Sequence, residues 1–108
     1  MARPLVVELL YFEGCPNHER ARELVERVAA EEGVTPELRQ VEVPTPEAAQ
    51  AMRFLGSPTI RVNGHDVEPG ADEREQFQYA CRVYCTASGF GGEPDPEWVR
   101  AAFRSPHR

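Results

Sequence analysis

The residues best suited to chemistry are Cys15-Pro16-Asn17-His18, which follow the apolar run Leu5–Phe12 and the turn residues Glu13-Gly14. A thiol followed at once by proline, where a strand hands over to a helix, is placed at a helix N-terminus. There the unpaired backbone N–H groups and the helix dipole favour thiolate. His18 lies one turn along, and as imidazolium it would support the thiolate, while Glu13 and Glu19 oppose it. Cys15 could instead be a small apolar residue closing a core strand. Gly14 before it and Pro16 after it suit an exposed turn better. The second chemical segment is Gly56-Ser57-Pro58-Thr59-Ile60, which opens another strand-like run. A cis X–Pro bond is expected at Ser57–Pro58.

Two further thiols, Cys81 and Cys85, lie in the run Ala80–Thr86. If that run is extended, about 3.3 Å per residue holds their Cα atoms about 13 Å apart, too far for a disulfide. One of them would then be core filler, or Cys81 would resolve an oxidised Cys15. Cys15 and His18 have ligand-like spacing, but no second pair completes a tetrahedral site, so no resident metal is expected. Carriage of a soft cation, copper(I) or mercury(II), by a two-coordinate thiolate is the other chemistry the motif admits. His65 and His107 read as solvated surface residues. Arg20 and Arg22 are placed to meet the carboxylate of a thiol ligand, or simply to face solvent.

The elements around these segments alternate. Leu5–Phe12 has the pattern of a central strand covered on both faces. Ala21, Leu24, Val25, Val28 and Ala29 make an apolar helical stripe, with Pro16 at the first helical position and Gly33 at the stop. Leu38–Val43 reads as a second strand. A helix capped by Thr45 follows, with Ala48, Met52 and Leu55 inward. Thr59–Val62 is the third strand, closed by the tight turn Asn63-Gly64. His65–Gln78 reads as a long polar loop, Ala80–Thr86 as the fourth strand and Gly89–Pro94 as a loop. Asp95 begins a last helix that packs through Trp98, Val99, Ala102 and Phe103.

In this order, the cysteine turn and the Ser-Pro-Thr loop resemble the thioredoxin-like superfamily, specifically small bacterial thioredoxin- or glutaredoxin-like proteins with one active-site cysteine. The resemblance covers the whole chain and implies an α/β, thioredoxin-like fold: a central mixed sheet of four strands flanked by helices. The first three strands would form a parallel unit and a hairpin would add an antiparallel partner. The family implies thiol–disulfide exchange through Cys15, with His18 and Pro58 in the catalytic set. Pro16, Asn17, Ser57 and Thr59 would meet substrate, the loop offering its backbone to an extended chain. His18 stands where dithiol members carry a second cysteine, so an external thiol, with glutathione the candidate co-substrate, or Cys81 would resolve the adduct. Glu8 is one residue out of phase with the family's buried carboxylate, and that role is not transferred. A redox-inactive binding module for a thiol ligand, soft metal or protein partner is the alternative.

Bulk properties narrow the field. A chain of 108 residues is one domain, and a net charge of -6 disfavours nucleic acid and anionic membrane as partners. All 12 basic residues are arginine, which excludes lysine nucleophiles and Schiff bases. Glu8 interrupts the first apolar run and no small-residue cleavage site follows it. With an odd cysteine count, this predicts a cytoplasmic protein without a cofactor, acting on a thiol or disulfide substrate, small or protein.

Overall fold

The run that begins the chain forms the middle of the molecule. A computed structural model describes residues 5–105, and in it Val6–Tyr11 is strand β1. Helix α1 (His18–Glu32) leads to β2 (Glu37–Glu42), which pairs with β1 in parallel. Then come the short helix α2 (Pro46–Ala51), β3 (Thr59–Val62) and the two-residue β4 (His65–Asp66). A 3-10 turn spans Ala71–Glu73. The strands β5 (Tyr84–Thr86) and β6 (Gly89–Gly91) precede helix α3 (Pro96–Arg104). The main sheet has the order β2-β1-β3-β4, and β5 and β6 form a separate hairpin.

β1 is apolar on both faces because both are covered. Val7 and Leu9 join the α1 stripe Ala21, Leu24, Val25, Val28 and Ala29 with Val99, Ala102 and Phe103 of α3. Leu10 joins Val43, Ala49 and Phe54 in a second cluster toward α2, with Ala48 and Met52 packed against it. All five stripe residues of α1 are buried, as their spacing predicts. Thr45 Oγ1 accepts from Ala48 N at 3.0 Å to start α2, and Asp95 Oδ1 accepts from Glu97 N at 2.9 Å to start α3.

The four-stranded mixed sheet agrees with expectation, but its construction differs in three respects. β3 runs antiparallel to β1, with Leu9 opposite Ile60 and Leu10 opposite Thr59. The cause is the length of α2: six helical residues span about 9 Å, whereas returning along the sheet takes about 20 Å. β3 therefore starts at the end where β2 stopped. The fourth strand is His65–Asp66 and not Ala80–Thr86, because Asn63 (φ 50) and Gly64 (φ 89) fold the chain straight back. Lastly, Gly89–Gly91, expected to be loop, is the strand that pairs with Tyr84–Thr86.

Candidate functional site

Cys15 sits in the turn that carries the chain from β1 to α1. Its N–H donates to Phe12 O at 3.2 Å, and its own carbonyl accepts from His18 N at 3.4 Å. Asn17, not Cys15 or Pro16, occupies the cap of α1, and the first helical bond runs from Ala21 N to Asn17 O at 3.0 Å. Pro16 thus precedes the helix, and Cys15 lies two residues before the cap. The Asn17 side chain makes no capping bond to the first turn. Cys15 is half-buried and unpaired.

The His18 ring lies against the sheet. Its ring stacks on Tyr11, with centroids 3.7 Å apart and planes 10° apart, and its Nε2 lies 2.7 Å from Gln40 Oε1. These contacts hold the imidazole against β1 and β2, and among the described residues no hydrogen bond joins it to Cys15. Arg22 is likewise committed, bridging Glu19 at 2.7 Å and Glu26 at 2.8 Å. The Asn17 side chain abuts Gly92, where an added Cβ would lie 2.1 Å from its Nδ2.

The second half of the site is the loop before β3. Ser57–Pro58 is cis. Ser57 Oγ accepts from Phe12 N at 3.3 Å, which ties this loop to the residue that also holds Cys15. The Ser57 backbone, expected to meet an extended substrate, is already paired within the chain. Its N–H donates to Ala80 O and its carbonyl accepts from Arg82 N, both at 2.9 Å, so Ser57 and Cys81 form a parallel bridge. Ser57 and Thr59 are fully buried. Thr59 Oγ1 donates to Gly56 O at 2.6 Å and accepts from Arg82 Nη1 at 3.0 Å. Tyr84 OH donates to Pro58 O at 2.6 Å.

Arg82 anchors this covering segment. Only 3% exposed, it forks onto Asp66 at 2.8 and 3.1 Å, and reaches Glu68 Oε1 at 2.8 Å. Its guanidinium carbon lies 4.4 Å from the Tyr84 ring centroid. Burial opposes its charge most strongly, but Tyr84, Asp66 and Glu68 together raise its pKa above the ordinary value. Burial pushes the Tyr84 phenol up, so it remains a neutral donor to Pro58. Gly56 makes this packing feasible: at φ +120 it faces Arg82 Cβ, and its own Cβ would lie 2.9 Å away.

Cys81 and Cys85 are exposed free thiols, which corrects the core-filler expectation. The alternation explains it: Arg82 and Tyr84 turn inward, and the cysteines turn outward. Sequence reasoning missed the Arg82–Asp66–Glu68 cluster and the Gly56 contact. The one available signal was an arginine and a tyrosine two apart, on one face of an expected strand. Among the described residues no group of three metal-ligating side chains converges. No helix among them is long and apolar enough to cross a membrane. Comparison with protein-family models, curated proteins and solved structures finds no match to this chain.

Proposed function

We propose that this chain is a thiol-based redox protein of thioredoxin-like type that exchanges disulfides through Cys15. The observation that carries the reading is the half-buried thiol in the turn between the central strand and α1, linked through Phe12 to the Ser57–Pro58 loop. The sheet order also supports it. Cys15 as thiolate attacks one sulfur of a disulfide, forms a mixed disulfide and expels the other sulfur as thiolate. A second thiol then releases Cys15, and glutathione is the external candidate. Because Ala80–Arg82 fills the Ser57 edge, a substrate reaches Cys15 without strand pairing there. That favours small disulfides over extended protein chains.

The filled edge also favours a second reading, a binding module that has lost turnover. Glutathione-coupled reduction of a small disulfide such as hydroxyethyl disulfide separates the two. The redox reading expects turnover that falls to background in Cys15→Ser and persists in Cys85→Ser. Wild-type protein no faster than Cys15→Ser would leave the binding module.

A further inference from the structure

Cys81 is exposed, yet the residues on either side of it are tied to the Ser57 loop. Ala80 O and Arg82 N are both bonded to Ser57. Partners in a β-bridge direct their side chains to the same face, so the Cys81 thiol shares a face with Ser57 Oγ. That Ser57 oxygen reaches Phe12 N, and Phe12 O holds Cys15 N. Cys81, Ser57 and Phe12 are therefore successive steps of about one strand spacing, roughly 5 Å each, and Cys15 closes a turn on the last. Cys85 has no such route. It lies about 13 Å further along an extended chain, opposite Phe90 in the β5–β6 hairpin.

We propose that Cys81 is the second redox thiol of this chain and forms an intramolecular disulfide with Cys15 once Cys15 has been oxidised. The proposal rests on the reading of Cys15 given above and names what releases its adduct. With oxidised glutathione as oxidant, the Cys15 thiolate attacks one sulfur, and a glutathione thiolate leaves. The Cys81 thiolate then attacks Cys15 Sγ, the Cys15–Cys81 bond forms, and the second glutathione thiolate leaves. Two protein thiols lose two electrons and two protons, and one small disulfide becomes two thiols. A disulfide needs Cα atoms about 4.4–6.8 Å apart. The Cys15 turn, with two backbone bonds, is the part free to adjust, whereas the Cys81 segment is pinned by the Arg82 cluster.

The test treats wild type, Cys81→Ser, Cys85→Ser and Cys15→Ser with oxidised glutathione and follows intact mass and peptide maps. Wild type and Cys85→Ser should pass through a glutathione adduct to a form lighter by two hydrogens, with Cys15 and Cys81 joined. Cys81→Ser should stop at a stable adduct on Cys15. If wild type also stops at a stable Cys15 adduct, the role of Cys81 is overturned and the exchange chemistry of Cys15 survives. If Cys15 never forms an adduct, both are overturned. A bond from Cys15 to Cys85 would overturn the assignment of Cys81.

Discussion

Two segments meet the Ser57 loop from opposite sides, and they are held very differently. The Cys15 turn touches it through one side-chain bond, Phe12 N to Ser57 Oγ. The Ala80–Tyr84 segment makes two backbone bonds to Ser57, a guanidinium bond to Thr59 and a phenol bond to Pro58. One side is a thiol in a loosely tied turn, and the other is a packed structural lock built on a buried ion pair. The chain has thus filled the edge of the loop with its own backbone and left the thiol beside it open to adjust. Stability and reactivity at this site should therefore separate by residue.

Arg82→Ala should show the largest effect. The change takes the buried guanidinium away from Asp66, while Glu68 keeps its bridge to Arg74, and breaking a buried ion pair in this way costs about 3–5 kcal/mol. Chemical denaturation should register that loss, and a cost under about 1 kcal/mol would show that the lock is not structural. Gly56→Ala should follow. Its Cβ would meet Arg82 Cβ at 2.9 Å, and overpacking costs about 1–3 kcal/mol. Wild-type stability in that variant would mean that the segment is not seated on Gly56.

Tyr84→Phe removes one buried hydrogen bond to Pro58 O, for about 1 kcal/mol. A smaller term joins α1 to α3, where Glu32 takes bonds from Arg104 at 2.7 and 3.1 Å. The Arg104 bond holds the Glu32 carboxyl below its ordinary pKa. The lower value belongs to the folded state, so this contribution is complete above the ordinary carboxylate pKa and is lost as pH falls through the depressed one. Glu32→Gln should flatten the acid limb of stability slightly. An unchanged limb would remove the clasp from the account. Cys15→Ser should cost least, within about 0.5 kcal/mol, since the turn contributes little to the core. A large loss of Tm there would make Cys15 a packing residue.

What could be read from sequence followed local physics. The α1 stripe, the caps at Thr45 and Asp95, and the Asn63-Gly64 turn each depend on a few neighbouring residues, and each formed. The direction of β3 depended on whether a six-residue helix could return the chain, and spacing alone did not decide that. Pro16 suited a helix start, yet the helix begins two residues later, behind an Asn17 packed on Gly92. The ring of His18 answers to Tyr11 and Gln40, the latter 22 positions away. Cys81–Tyr84 read as a plain strand because the partners of Arg82 lie at Asp66 and Glu68, in a stretch that looked like solvated loop.

Competitive labelling of the three thiols with limiting iodoacetamide at neutral pH tests the central claim most directly, read by peptide mass. Exposure alone would rank Cys81 and Cys85 ahead of the half-buried Cys15. The account predicts that Cys15 is labelled first, as the thiol that attacks in disulfide exchange. Labelling of Cys81 and Cys85 ahead of Cys15 would contradict it.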